Sequence, residues 1–191
     1  LMEYDKKFLI IGNINSVSYK EVFPYIMNNK MWIGLSISSG DRKFFVPDDY
    51  PLNASGCGVD SDGKRYIRVK GVRWFTNLDI SKRNEEMDLV CRYSPEEYPS
   101  YVNYQAIDVS KTADIPFDYT GLMGVPITFL DKYCPNQFEI IGHSLELADM
   151  NIIKKELGKL NGGPRFYVRE HGQLCRKFER IIIRNKHPQI L

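Results

Sequence analysis

Lys6 to Leu35 reads KKFLIIGNINSVSYKEVFPYIMNNKMWIGL, and this stretch decides the fold class. Phe8 to Ile11 is an unbroken apolar run, too short for a helix and rich in residues that suit a buried strand. Gly12-Asn13 stops it with residues that tolerate a turn or a close backbone approach. Ser18 and Glu21 have capping-box spacing, and Val22, Phe23, Ile26 and Met27 then recur at helical steps. Pro24 belongs in a helix's first turn, so the pattern predicts a short helix over Tyr19–Asn28. Met31–Leu35 returns as a second buried strand. A strand–helix–strand unit implies parallel strands and an open α/β sheet. Ligands of such sheets sit beyond the carboxyl ends of the strands, which makes Gly12–Ser16 the first place to look for a site.

The 191 residues suffice for a sizeable core, and 43% hydrophobic with 26% charged is an ordinary globular composition. No apolar run approaches the roughly 18 residues of a membrane span, and no signal-peptide pattern opens the chain. A cytoplasmic protein without a membrane role is expected. Cys57, Cys91, Cys134 and Cys175 lack zinc-site spacing, as do His143, His171 and His187, so no metal is expected. The chain starts with Leu1 rather than methionine, so either Met2 is the true start or the chain is a piece of something longer.

The net charge of +2 hides a division. Lys64–Arg83 holds seven basic residues against Asp79, and Asn84–Asp149 holds twelve acidic against three basic. Arg165–Lys186 again holds seven basic against two acidic. Basic blocks separated by an acidic one suit a polyanion such as double-stranded DNA. Lys64, Arg65, Arg68, Lys70, Arg73, Lys82 and Arg83 in the first block, with Arg165 and Arg169 in the second, are the candidate DNA contacts.

Further along, Ser36–Asp41 reads as a loop and Phe44–Val46 as a short strand. Val59–Lys70 reads as a hairpin turning at Asp60–Gly63, with Arg65 and Arg68 exposed on the returning strand. Val72–Ile80 is the most strand-like stretch after the first. Its Trp74 and Phe75 point to opposite faces, and either they are aromatics packed under the sheet or one offers a ring to stack on a base. Glu85–Tyr104, with Pro95 and Pro99, is irregular. Gly121–Leu130 and Phe138–Ile141 are strand-like, Leu145–Leu160 is helical, and Arg165–Arg169 with Phe178–Arg184 form a terminal hairpin. Gly56–Asp60 lacks the strand and helix of a nucleotide-binding turn, and no Walker loop, glycine-framed serine or paired carboxylates stand out. No complete catalytic constellation is present.

Several words of the sequence do resemble a family. KKFLIIGNINSVSYKEVF with KMWIGL, then FFVP, VRWFTNLD, YVNYQAIDV, DIPFDY, GVPITFLDKY, QFEI and ERIIIRNK are similar to the EcoRI-type adenine-specific DNA methyltransferases of prokaryotic restriction-modification systems. The likeness runs in order from Tyr4 to about Lys186. It implies the C-terminal half of a Rossmann-like methyltransferase sheet, over residues 1–83 with an inserted basic hairpin. A β-rich DNA-recognition region, residues 84–191, would follow. Phe8–Gly12 would neighbour the catalytic strand, Met31–Leu35 would follow, and Val72–Leu78 would be the antiparallel closing strand. Asn13, Asn15, Trp74 and Phe75 would then border the pocket for a target adenine taken out of the stack. The family's Asn-Pro-Pro-Phe motif and glycine-rich cofactor loop occur nowhere in this chain. The resemblance therefore implies S-adenosylmethionine for the intact enzyme, none for this part, and a missing N-terminal half as partner. A free-standing DNA-binding module and a small-molecule enzyme built on Gly12–Ser16 are the alternative readings.

Overall fold

The apolar run of the first stretch forms strand β1, Leu9–Asn13, in the computed structural model, which describes residues 1–35, 41–53, 55–160 and 162–190. The loop expected at Ser36–Asp41 lies outside the described residues except for Asp41. Beyond β1 the chain makes a 3-10 turn at Ile14–Ser18 and a short helix, α1, Phe23–Met27. Pro24 occupies the first turn of α1, where its missing N–H costs nothing. The expected capping box does not form. Val22 is the N-cap and makes no side-chain cap, because the Ser18 hydroxyl donates to Glu179 instead.

Strand β2 is Trp32–Ile33, and β3 (Arg42–Phe45), β4 (Gly58–Val59) and β5 (Arg65–Val69) make a separate antiparallel sheet in the order β3-β5-β4. The hairpin turn is held by the Asp60 carboxylate, which accepts the Asp62 and Lys64 N–H groups at 3.0 and 2.9 Å, and by Gly63 at φ 77°. Strand β6, Val72–Thr76, then runs antiparallel between β1 and β2. The two outer strands are thus parallel to each other, as the strand–helix–strand unit requires, but they are separated by the returning β6.

The remaining strands are β7 (Ile107–Asp108), β8 (Leu122–Pro126), β9 (Phe138–His143), β10 (Tyr167–Glu170), β11 (Gln173–Arg176) and β12 (Arg180–Asn185). A four-stranded sheet has the order β7-β8-β12-β9, with β7 parallel to β8 and the other pairs antiparallel. The terminal hairpin is β10 with β11, turning at His171-Gly172 where both residues have positive φ. The sequence pattern points to β12 as the partner of β10; the structure places β12 in the four-stranded sheet instead. Glu85–Tyr104 contains no helix and no strand longer than a single bridge. The expected long helix is two pieces, α2 (Ser144–Leu147) and α3 (Met150–Leu157), the second capped by the Asp149 carboxylate on the Asn151 N–H.

One apolar core joins the two main sheets. Ile33 and Phe75 of the first sheet, with Val17, Phe23 and Ile26 from the turn and helix that follow β1, pack in one cluster with Met123, Phe138, Ile181 and Ile183 of the four-stranded sheet and with Phe129 just after β8. Ile182, pointing the other way from β12, packs with Tyr101, Phe166 and Val168. Strand β1 departs from this pattern. It lies at the sheet edge, and Leu9, Ile10 and Ile11 are 53%, 45% and 49% exposed, so both faces of an apolar strand are bare.

Burial is not confined to apolar groups. The Asp108 carboxylate, on β7, accepts the Arg180 Nε–H at 2.9 Å, the Tyr101 hydroxyl at 2.6 Å and the Ser110 hydroxyl at 3.2 Å. Removing one partner of a buried ion pair leaves the other charge without compensation. Asp108→Ala is expected to cost about 3–5 kcal/mol of unfolding free energy. Urea unfolding followed by circular dichroism checks this, and a loss below about 1 kcal/mol would show that water replaces the carboxylate.

Candidate nucleic-acid interface

The carboxyl end of β1 is held by side-chain bonds. Asn13 Oδ1 accepts the Asn15 N–H at 3.0 Å, its Nδ2 donates to the Lys70 carbonyl at 2.9 Å, and the Ser16 hydroxyl donates to the Asn13 carbonyl at 2.7 Å. The Ile14 N–H bonds the carbonyl of Gly71, which stands at φ 66° with the Asn13 amide and Ile14 packed against it. Asn13 is therefore committed to the turn, whereas the exposed Asn15 lines a cleft.

That cleft, of about 630 Å³, lies between the two main sheets. Asn15, Ser18 and Tyr19 form one wall, and Ser110, Pro126, Ile127, Leu145, Arg165, Phe178, Glu179 and Arg180 the other. Glu179 joins the walls: one carboxylate oxygen accepts the Ser18 hydroxyl and the other accepts Arg165 Nη2. Behind Glu179, His143 is 2% exposed and packs edge-on against Phe23. Its Nδ1 accepts the Leu145 N–H at 3.2 Å, and its Nε2 stands 3.9 Å from the Glu179 carboxylate. Burial pushes His143 down to about 4, with Glu179 raising it and Arg165 lowering it by lesser amounts.

Trp74 and Phe75, both candidates for a base pocket, have separate fates. Phe75 is 3% exposed, and its ring covers Gly12 so closely that a Cβ there would meet it at 2.9 Å. It is core, with no face to offer a base. Trp74 lies half-buried on the opposite face of β6, over Gly34, and does not line the cleft.

The basic candidates divide too. Strand alternation places Lys64, Tyr66 and Arg68 of the hairpin on one face, with Lys43 and Phe45 beside them in register. Lys43 Nζ sits 4.2 Å from the Tyr66 ring centre and 5.0 Å from that of Phe45, Lys64 Nζ 5.6 Å from Phe45, and Arg68 5.8 Å from Tyr66. Lys70 is exposed just beyond the strand. Arg65 points to the other face, where Nη2 donates to the Tyr50 carbonyl at 2.7 Å, so it does not share a surface with Arg68. Arg73 is 4% exposed and clasps both oxygens of Asp131 at 2.7 and 2.9 Å, which removes it from any phosphate-tracking surface. Arg83 stacks 3.8 Å above the Trp32 ring and donates to Asn29. Lys82 borders a second groove with Lys111 and Lys132. Arg165 pairs with Glu179, and Arg169 is bidentate to the exposed Glu156 at 3.0 and 2.8 Å.

Sequence reasoning missed Lys43, Phe45, Phe178 and Glu179. Two cations followed by two rings in Arg42–Phe45, and one ring within Arg176–Arg180, are the available signals.

A family model for the adenine-specific methyltransferase EcoRI matches residues 1–186. Two type II methyltransferases align with most of the chain. M.EcoRI of Escherichia coli is 50% identical over 143 residues, covering 74% of this chain and 44% of its own length. M.MgeORF184P of Mycoplasma genitalium is 38% identical over 145 residues, covering 74% of this chain and 45% of its own. No solved structure matches the chain. This mixed α/β chain is thus a relative of type II methyltransferases. The chain belongs to the EcoRI adenine-specific methyltransferase family, and its match spans less than half the length of these relatives.

The buried imidazole makes a checkable demand. Because the folded pKa of His143 is lowered, the unfolded chain binds the extra proton first. Stability is fully present above the ordinary value of 6.5 and is lost as pH falls toward about 4. The loss should be on the order of 3 kcal/mol. Unfolding free energies of the protein and of His143→Asn, measured between these pH values, should differ in slope in that sense. Equal slopes would mean that His143 takes up its proton alike in the folded and the unfolded chain.

Proposed function

We propose that the chain is the C-terminal portion of a site-specific adenine DNA methyltransferase, carrying half of the methyltransferase sheet and the target-recognition region. The intact enzyme would transfer the methyl group of S-adenosylmethionine to the exocyclic amine of an adenine drawn out of double-stranded DNA. The observation that carries this reading is β1. Leu9, Ile10 and Ile11 compose a strand suited to burial on both faces, yet it stands at a sheet edge with both faces bare. Such an edge is a template for a further strand and for the helices that cover a parallel sheet. A Rossmann-like N-terminal half would supply them, in the cytoplasm of a prokaryotic cell. Across the described residues no helix is long and apolar enough to cross a membrane.

The residues at the end of β1 do not by themselves fit the cofactor. Gly12 is backed by the Phe75 ring and the Asn13 amide is consumed by the Lys70 carbonyl, so no open set of donors faces a nucleoside there. The cofactor and the catalytic Asn-Pro-Pro-Phe motif would come from the half that β1 receives. Residues 1–191 alone are expected to transfer no label from S-adenosylmethionine to duplex DNA and to bind the cofactor weakly or not at all. A polypeptide that also supplies the cofactor loop and the catalytic motif should methylate adenine. Transfer by the 191 residues alone, or cytosine as the methylated base, would overturn the reading.

DNA would be gripped by the hairpin face of Lys43, Lys64 and Arg68, with Lys70 and Lys82 as further phosphate contacts. Arg165 and Arg169 reach phosphates only by loosening Glu179 and Glu156. Removing one cation from a phosphate should reduce the log–log salt slope of duplex binding by about 0.9. Lys64→Ala and Arg68→Ala should each lower affinity and slope in a fluorescence-anisotropy titration. Arg65→Ala should leave the slope unchanged and reduce stability, since its guanidinium bonds the Tyr50 carbonyl. An unchanged slope in the first two variants would reassign the hairpin to a solvated surface.

A further inference from the structure

Phe178 is 87% exposed, more than any other large apolar residue among those described. It lies between β11 and β12, at the rim of the cleft and opposite Asn15 and Tyr19. An exposed phenylalanine on a loose loop would be ordinary, but this one stands on fixed supports. Before it, the Lys177 N–H bonds the Phe166 carbonyl at 2.9 Å, and the Lys177 ammonium bonds Glu170 at 2.7 Å and lies 3.5 Å from Asp108. After it, Glu179 is held by Ser18 and Arg165. Arg180 follows at once, its N–H on the Ser144 hydroxyl and its Nε on Asp108. Both neighbours of the ring are thus tied down by backbone and charge, and the ring alone projects.

The fold holds this side chain in water although the apolar walls of the cleft lie beside it. The surroundings favour one kind of occupant. Arg176, exposed and donating to the Gly163 carbonyl, stands two residues away, and Arg165 lines the same cleft. The cleft itself opens at the carboxyl end of β1. A ring flanked by cations over an open cleft matches a polyanion with planar, stackable groups. Apolar side chains that enter a base step do so from such positions, unstacking it while the flanking cations hold the phosphates.

We propose that Phe178 is the residue that enters the base stack of duplex DNA lying across the cleft and fills the space left when a base moves out. This rests on the DNA-binding reading above and deepens it.

The test uses the chain with two 25-base-pair duplexes of one mixed sequence, differing only in a single abasic site at the centre. A ring that fills the gap should bind the abasic duplex about tenfold more tightly than the intact one, a step within the range of one stacked base. Phe178→Ala should remove the preference while leaving the salt slope and melting temperature unchanged, and Phe178→Trp should retain it. If the alanine variant keeps the preference, the ring is not the inserting group and the proposal falls while DNA binding stands. If the parent chain binds both duplexes equally in a salt-dependent way, insertion is again excluded. If it binds neither, the DNA-binding reading fails first and carries the proposal with it. A melting temperature lowered by either substitution would show that the ring packs in solution, which contradicts its exposure and overturns the assignment.

Discussion

A single carboxylate sets the register of the C-terminal half. Asp108 is 1% exposed at its side chain, a position where an unmatched charge would cost several kcal/mol. It is matched by groups from separate parts of the chain: Tyr101 before it, Ser110 just after, Lys177 beyond β11 and Arg180 at the start of β12. Burial, with the Asp108 charge second, pushes the Tyr101 hydroxyl far up, so it stays a donor throughout the working range. Apolar residues of similar volume often stabilise a core as well as such a knot does. We assign the knot a registry role. If Arg180 slid by one residue, Ile181 and Ile183 would leave the main core for the other face of the sheet.

The same principle accounts for much of the charge in the chain. Blocks of opposite sign, tallied along the sequence, look like a polarised surface. In three dimensions many of these charges meet one another. Asp131 takes Arg73, Asp108 takes Arg180, and Glu139 lies 3.5 Å from Arg184. Three of the twelve acidic residues in the middle of the chain, Asp108, Asp131 and Glu139, therefore serve as counter-charge for the basic blocks. On the β3-β5-β4 hairpin sheet the Lys43 ammonium, bonded to Asp60 at 3.3 Å, and that of Lys64 lie over aromatic rings.

Period and turn chemistry are legible where they act locally. The Asp60–Gly63 turn, the run before Gly12 and the two-faced aromatic pair on β6 can all be read from neighbouring residues. Long-range choices cannot. Gln173–Arg176 reads QLCR, without the alternation that marks a strand, so the pattern passes over it and offers β12 as the mate of β10. Arg73 reads as a phosphate contact because Asp131, 58 residues away, has no sequence signature as its mate. The site is only half legible for the same reason. Asn15 can be placed at a strand end, but the opposite wall of the cleft arrives from beyond residue 109. Ser18 fits a capping box by spacing, yet a distant glutamate outcompetes the local backbone for its hydroxyl.

The uncovered edge of β1 also bears on how the polypeptide behaves before it meets a partner. A row of unpaired backbone groups beside Leu9, Ile10 and Ile11 is a ready seed for edge-to-edge aggregation. Lys6 and Lys7 stand immediately before that row, both exposed, and act as gatekeepers: two copies docking along this edge in parallel would bring like charges side by side. Docking in the antiparallel sense would place those lysines beyond the other copy's Asn13, whose amide is already occupied by the Lys70 carbonyl. The charges that keep copies apart therefore lie outside the apolar row itself, leaving the row free for a strand with a different flank.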